Sequence, residues 1–114
     1  MSSTSALATR VRELSAEIGL TQSDVGQIVG SSSRSVSRWW SGQSVPQRSK
    51  QQRLLELTYV LDAVSTVLDP EDAHMWFFSP NRLLDHDSPA DRIRAGDFRS
   101  VLALIEALAD GVFV

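Results

Sequence analysis

The segment from Thr21 to Gly42 constrains the fold of this chain more than any other part of the sequence. It opens with a threonine followed three residues later by an aspartate, which is the capping-box pattern that starts a helix. Val25, Ile28 and Val29 then recur at helical spacing, and Gly30 can adopt the left-handed conformation that ends a helix. A serine-rich turn follows, and one of its serines can cap a second short helix. Two short helices around a tight turn are typical of a helix-turn-helix.

The second of these helices has an apolar back and a polar front. Its front carries arginines and serines, which suit phosphates and base edges, and glutamines and basic residues stand close to it in the sequence. We therefore interpret this face as a DNA-binding surface. The candidate DNA-binding residues are Gln22, Ser33, Arg34, Ser35, Ser37, Arg38, Gln43, Arg48 and Lys50. The alternatives are an ordinary helical hairpin with solvated arginines and, for Arg48 and Lys50, a solvated helix end.

Two tryptophans stand side by side near the end of the second helix. Trp39 shares a face with Val36 and is predicted to lie in the core. Trp40 lies about 100° further round the helix, so it is less suited to full burial. It can cover part of its own chain, pad the DNA-binding surface or contact a partner, and we favour cover within the chain.

The charge of the chain is divided between a basic first half and an acidic second half. Residues 1–53 carry seven basic and three acidic side chains, a net charge of +4. Residues 54–114 carry four basic and eleven acidic side chains, a net charge of −7, and the whole-chain value of −3 conceals this division. A basic half suits a polyanion and an acidic half suits a different partner, so we expect two partners.

Apolar residues at helical spacing predict helices through the rest of the chain. The strongest pattern covers residues 51–68, which are too apolar for one face, so this helix must be covered on several sides and can also serve self-association. Further helices are predicted at residues 5–18, 71–78, 90–95 and 98–109, with one helical turn at 82–84. Val101, Leu102, Ile105 and Leu108 are the predicted buried residues of the last helix. The fold class is all-α, with a helix-turn-helix lobe at residues 1–50 joined by the long apolar helix to a small helical lobe within residues 51–114.

Several functional classes find no support in the sequence. The chain has no cysteine, which excludes disulfides and thiolate chemistry. It has no glycine-rich phosphate loop and no serine nucleophile motif, so we predict no enzymatic activity and no cofactor. His74 and His86 lie near aspartates, but their spacing matches no metal-ligand pattern and no metal is predicted. No apolar run reaches the length of a membrane span and no signal peptide is recognisable, so we expect a cytoplasmic protein without a membrane partner.

The sequence ends on apolar residues, whereas chain ends are commonly polar. Val112, Phe113 and Val114 bring two aliphatic side chains and an aromatic ring beside the terminal carboxylate. One interpretation is a tail that folds back onto its own core. The other is an anchor that enters a pocket on a partner protein, with Phe113 as the main contact and the carboxylate meeting a cation.

These features together resemble the antitoxins of the Xre/MbcA/ParS family, and over the whole length the mycobacterial MbcA branch of that family. The N-terminal match is the segment RSVSRWWSGQSVPQ at residues 34–47. The C-terminal match, over residues 75–114, is an ordered series: an aromatic cluster, Pro-Asn-x-x-Leu, x-Pro-Ala-Asp, a glycine and a terminal amphipathic helix. This series is much more specific than a generic helix-turn-helix.

The resemblance implies an antitoxin that directly binds a RES-domain toxin, which is an enzyme that degrades NAD⁺. Antitoxins of this family often also repress their own operon. The resemblance maps the toxin-binding segment onto residues 76–114, with the end of the chain at the toxin's active-site cleft. The candidate toxin-binding residues are Trp76, Asn81, Arg82, Gly111, Val112, Phe113 and Val114. A homodimer within a larger toxin–antitoxin assembly is expected if operator DNA is bound, since one short helix buries too little surface for specific recognition. The alternatives are a transcriptional regulator without a toxin partner, and a toxin-binding module whose helix-turn-helix no longer binds DNA.

Overall fold

The computed structural model of the chain describes residues 3–111, which form helices and turns without a strand, so the all-α fold class is confirmed. In chain order the elements are α1 (Ser3–Glu17), α2 (Gln22–Val29), α3 (Ser33–Ser41), α4 (Arg48–Ser65), α5 (Pro70–Phe78), a 3₁₀ turn (Arg82–Leu84), α6 (Pro89–Arg94) and α7 (Phe98–Ala109). The predicted toxin-binding residues Val112, Phe113 and Val114 lie outside the described residues. Among the described helices, none combines the length and the apolar character that a membrane span requires.

Helices α2 and α3 form the predicted helix-turn-helix, and each is capped by its own residues. Thr21 Oγ1 accepts a hydrogen bond from the Asp24 main-chain N–H at 3.0 Å, and Asp24 Oδ2 accepts one from the Thr21 N–H at 2.9 Å, so the predicted capping box is present. Gly30 ends α2 with a φ of 79°, in the left-handed region. The serine that caps α3 is Ser32, whose Oγ accepts a main-chain N–H of the first turn at 3.1 Å. Local chemistry therefore fixes the start of both helices and the end of the first.

Helix α4 begins and ends three residues earlier than the predicted range 51–68. It begins at Arg48 because Gln47 is still extended, with a ψ of 157°. At its far end the hydroxyls of Ser65 and Thr66 donate to main-chain carbonyls three residues earlier, at 2.8 Å each. Asp69, which precedes a proline, is extended with a ψ of 156°, as residues before proline commonly are. The last turn of the periodic pattern is therefore a turn rather than helix.

A single hydrophobic cluster joins the two halves of the chain, with α4 supplying more of it than any other helix. Its members from the first half are Val11, Leu14, Ile18, Leu20, Val25, Ile28, Val29, Val36 and Trp39. Its members from the second half are Leu54, Leu57, Val60, Leu61, Val64, Ala73, Phe77, Ala90, Ile93, Val101 and Ile105. Because α1 packs on α4 and α2 packs on α6, the helix-turn-helix and the C-terminal helices share one core.

The buried face of α7 differs in part from the prediction. Val101 and Ile105 are buried as expected, but Leu102 and Leu108 are only partly buried and Leu104 is buried instead. The reason is that α7 packs against α4 and α6 and also against the 3₁₀ turn. The contact with the turn shifts the buried arc of the helix toward Leu104.

Candidate functional surfaces

The outer face of α3 carries most of the predicted DNA-binding residues. Those that are exposed on it are Ser33, Arg34, Ser37 and Arg38. On the opposite face Val36 is fully buried and Trp39 is 8% exposed, so the predicted division into an apolar back and a polar front is present. Ser35 differs because it is partly buried and its main-chain N–H and hydroxyl are both bonded to Ser32 Oγ, at 3.1 Å each. Ser35 thus takes part in the cap that starts α3.

The remaining polar candidates border α3. Gln22 is the first residue of α2, Gln43 follows the glycine that ends α3, and Arg48 is the first residue of α4; all three are exposed. Lys50 is used within the fold instead. Its Nζ donates to the carbonyl oxygens of the last residue of α2 and of Gly30, at 3.2 and 2.8 Å. The lysine therefore caps the C-terminal end of α2, where cations are favoured.

Trp40 is partly buried and packs against the core cluster, so it covers part of its own chain. It also lines a cleft of about 200 Å³ with Gln22, Ser37, Ser41 and Arg12. Arg12 belongs to α1, and the packing of α1 on α3 brings it to the predicted DNA-binding surface. The sequence pattern singled out only the two helices of the helix-turn-helix, so Arg12 was missed as a further cation of this surface.

Trp76 is the first of the predicted toxin-binding residues. It lies on α5 and is partly buried against the core cluster. Its ring packs edge-on against Phe77, with a centroid distance of 5.1 Å. The indole Nε1 is buried and has no hydrogen-bond partner among residues 3–111. A buried N–H without a hydrogen-bond partner destabilises the folded state, so such groups are rare in native structures.

Asn81 and Arg82 have opposite roles although they are neighbours. Asn81 is only 7% exposed, and its Oδ1 accepts the Leu83 N–H at 3.0 Å while its carbonyl accepts the N–H groups of Leu84 and His86 at 3.0 and 2.9 Å. Asn81 therefore shapes the 3₁₀ turn from inside. Arg82 and Leu83 are both exposed, the leucine to 58%, so they are the residues that this turn presents to solvent.

The loop between the 3₁₀ turn and α6 is strained and held by an arginine. Asp85 and His86 both have positive φ, 54° and 70°, which is uncommon for residues other than glycine. Arg92 reaches across this loop, donating to Asp97 and Asp87 at 2.9 Å each and to the Leu84 carbonyl at 2.7 Å. The bond to Asp97, followed by the bond to Asp87, raises the pKa of the Arg92 guanidinium. Nothing in the local sequence pattern singled out this arginine, because its partners come from both sides of α6.

Two side-chain contacts connect the second half of the chain to α2. His74 Nε2 on α5 lies 3.2 Å from Asp24 Oδ2, and Arg94 Nη1 on α6 donates to the Gln27 carbonyl at 3.1 Å. Burial raises the pKa of Asp24, but hydrogen bonds from Thr21 and His74 outweigh it and lower the pKa below the ordinary value of 3.8. His74 is thus engaged with one carboxylate, and no three potential metal ligands cluster anywhere within residues 3–111.

Gly111, the last described residue, is exposed and has a φ of 83°. It follows directly on the residue that ends α7, Asp110. A positive φ is adopted readily by glycine and at a cost by other residues. The described part of the chain therefore ends in a backbone conformation that favours glycine.

A helix-turn-helix with an exposed basic face, sharing its core with an acidic helical second half, defines a helix-turn-helix protein with an appended helical module. The family model described as the Xre/MbcA/ParS antitoxin C-terminal toxin-binding domain matches residues 59–111. The chain is 55% identical over 108 residues to the mycobacterial cidal antitoxin MbcA of Mycobacterium tuberculosis, covering 95% of this chain and 96% of that one. The chain therefore belongs to the Xre/MbcA/ParS family of antitoxins.

Two further relatives support this assignment. A probable mycobacterial cidal antitoxin of Mycobacterium tuberculosis is 32% identical over 96 residues, covering 84% of this chain and 82% of the relative. A chain in the crystal structure of the M. tuberculosis MbcT-MbcA toxin-antitoxin complex is 55% identical and superposes with a TM-score of 0.84, over 95% of this chain and 97% of that one. Similarity therefore extends over both halves of the fold.

Proposed function

We propose that this chain is the antitoxin of a type II toxin-antitoxin system and that it neutralises a RES-domain, NAD⁺-degrading toxin by binding it directly. The observation that carries the proposal is the 55% identity, over 95% of the chain, to a chain of the MbcT-MbcA toxin-antitoxin complex. The protein acts by binding, with no catalytic residue or cofactor of its own. NAD⁺ and operator DNA are both cytoplasmic, so the cytoplasm is where we expect it to act.

The toxin-binding surface that we propose runs from α5 to the end of the chain. Trp76, Arg82 and Gly111 contribute from the described residues, while Asn81 acts by holding the turn that presents Arg82. Residues 112–114 complete it. Val112, Phe113 and Val114 offer two aliphatic side chains and an aromatic ring that can enter a pocket of the toxin.

The test is deletion of Val112 to Val114, with toxin and antitoxin co-expressed and growth recorded. The truncated chain should fold, because residues between Val11 and Ile105 already form one hydrophobic cluster, and it should fail to protect the cells. A matched control replaces Val45, an exposed valine in the loop between α3 and α4, with serine and should protect fully. Full protection by the truncated chain, at equal protein level, would contradict the placement of the tail in the cleft.

We also propose that the antitoxin binds its operator as a homodimer and represses its own operon. Arg34 and Arg38 are exposed on α3, and the serines beside them offer hydroxyls for phosphates or base edges. Gln22, Gln43 and Arg48 border this face, whereas phosphate contact by Lys50 competes with its capping of α2. Binding to the promoter fragment upstream of the gene, measured against an unrelated fragment, distinguishes this function from a module that binds toxin alone.

A further inference from the structure

Helix α4 has a solvent-facing stripe of six exposed residues. The stripe consists of Arg48, Gln52, Leu55, Tyr59, Asp62 and Thr66, the last being the residue that ends the helix. These residues are separated alternately by four and three positions, the spacing of a coiled-coil seam. At 100° per residue they fall within an arc of about 80°. The stripe is therefore a narrow, straight row along the helix.

The centre of this stripe is apolar although it faces solvent. Leu55 is 41% exposed and Tyr59 is 56% exposed, and they are neighbours one helical turn apart. The other residues of the stripe are polar or charged and stand toward its two ends. An apolar centre with a polar rim is the composition of a small protein interface.

We infer that this stripe is the homodimer interface, in which α4 packs antiparallel against α4 of a second copy about a two-fold axis. The inference rests on the homodimer proposed above and assigns it a surface and an orientation. An antiparallel pair centred between Leu55 and Tyr59 places each leucine against the partner subunit's Tyr59. It also places Gln52 opposite the partner subunit's Asp62. The Gln52 Nε2 donates one hydrogen to Glu56 of its own helix at 3.0 Å, and its second hydrogen can meet the partner's carboxylate.

Charge disfavours the parallel arrangement of the same stripe. A parallel pair would set Asp62 beside the partner subunit's Asp62, a like-charge contact at the edge of an apolar surface. Within one chain Asp62 accepts a hydrogen bond from Arg10 of α1 at 3.1 Å, which keeps the carboxylate beside the stripe. Because a two-fold contact repeats itself, the favourable pair of Gln52 and Asp62 occurs twice.

Sedimentation equilibrium of the full chain without toxin tests the surface. The wild-type chain should form a reversible dimer, and the double variant Leu55→Glu/Tyr59→Glu should raise the dissociation constant about tenfold or more, since these are its central apolar contacts. Leu83→Glu is the matched control, because it changes a leucine that is 58% exposed outside the stripe. Circular dichroism of each variant checks the fold. A monomer at all concentrations, or a dimer that the α4 variants leave unchanged, overturns the inference.

Cross-linking tests the orientation, and the chain is suited to it because it has no native cysteine. Gln52→Cys and Asp62→Cys are prepared as separate single variants and then mixed under mild oxidation. Disulfides should form between the two variants and not within either one alone. Cross-links within each single variant would indicate parallel helices, and a dimer without any cross-link would indicate another surface; either result overturns the assignment.

The toxin is the competing occupant of the stripe, and growth assays separate the two cases. If Leu55→Glu/Tyr59→Glu abolishes protection and toxin co-purification in a chain that is monomeric when wild type, the stripe belongs to the toxin and the inference is wrong. If the wild-type chain dimerises through α4 and fails to neutralise the toxin, the inference stands and the proposed function fails.

Discussion

Lys50 is the single lysine of the chain, and its position decides what it can contribute. In sequence it belongs to a short basic segment that suits a phosphate clamp. In the structure its ammonium donates to two carbonyls at the end of α2, while Arg48, two residues earlier, is exposed. One basic residue of the pair is therefore free to meet a phosphate, and the other already has main-chain partners.

Replacing Lys50 with methionine tests this capping role. The side chain keeps a similar length but loses the charge and both hydrogen bonds, so the free energy of unfolding should fall by about 1–2 kcal/mol. Arg99→Met, at an exposed arginine of α7, should leave it within about 0.5 kcal/mol of wild type. Urea unfolding followed by circular dichroism gives both values. Unchanged stability together with weakened DNA binding would instead assign Lys50 to phosphate contact.

Arg34 and Arg38 are expected to carry the electrostatic part of DNA binding. Replacing both with alanine should weaken binding. The plot of log K against log salt has a negative slope, and its magnitude should fall by about 0.9 for each phosphate that the variant no longer neutralises. Arg99→Ala is the control, since it removes the same charge from α7. Fluorescence anisotropy on the promoter fragment between low and moderate salt measures the slope. A slope equal to that of the wild type would mean that α3 does not face the phosphates.

At the scale of the helices, aspartates at the N-termini of α2 and α6 make the same contact. Asp91 Oδ2 accepts the Ser88 N–H at 3.2 Å and Ser88 Oγ accepts the Asp91 N–H at 3.1 Å, a second capping box. The hydrogen bond from the Ser88 main chain, followed by the bond from its hydroxyl, lowers the pKa of Asp91 below 3.8. The pKa of Asp24 in α2 is lowered as well, so both carboxylates are favoured in their charged form.

These lowered values predict a loss of stability in acid. Since the folded-state pKa of both groups lies below the unfolded value of 3.8, their contribution is present above that pH and is lost as the pH falls through the folded-state values. Asp24→Asn/Asp91→Asn should be less stable than wild type near neutral pH, by about 0.5 kcal/mol for each site. The difference should shrink as the pH falls below 3.8, and urea unfolding across this range measures it. A difference that is constant with pH would exclude the linkage.

The start and end of the helices could be predicted well because they depend on neighbours in the sequence. The capping box of Thr21 and the glycine after α2 are local patterns, and the structure contains both. Helix α4 is the exception, since periodicity does not register an extended residue such as Gln47. The buried side of α7 also departs from the pattern, because contact with the 3₁₀ turn decides it.

At the scale of the whole molecule, the shared core predicts a single cooperative unfolding transition. Residues of both halves belong to one hydrophobic cluster, so the helix-turn-helix has no separate core whose burial would hold it folded alone. The variant Trp76→Phe leaves tryptophans only at positions 39 and 40, and its fluorescence then reports the first half. Its urea midpoint should coincide with that from far-ultraviolet circular dichroism, which reports all helices. Two separated midpoints would indicate halves that unfold independently.

The side-chain contacts between different helices could not be predicted from the sequence pattern. Arg92 holds a loop, Arg94 donates to α2 and Arg12 reaches the predicted DNA-binding surface, and each contact depends on how the helices pack. The net charge counts these arginines as cations but does not indicate which residues they contact. The placement of the DNA-binding and toxin-binding residues in two surfaces thus combines local patterns with packing, and their roles in binding stay predictions.

The contacts of α5 and α6 with α2 have a consequence for hybrid antitoxins built from two relatives. His74 contacts one end of this helix and Arg94 contacts the other, so the C-terminal half of this chain is fitted to its own α2. A chimera joined at the start of α4 would take α2 from one relative and the residues that contact it from the other. Engineers who wish to redirect such a protein to a new toxin should transplant position 24 together with position 74, or accept a less stable recombinant.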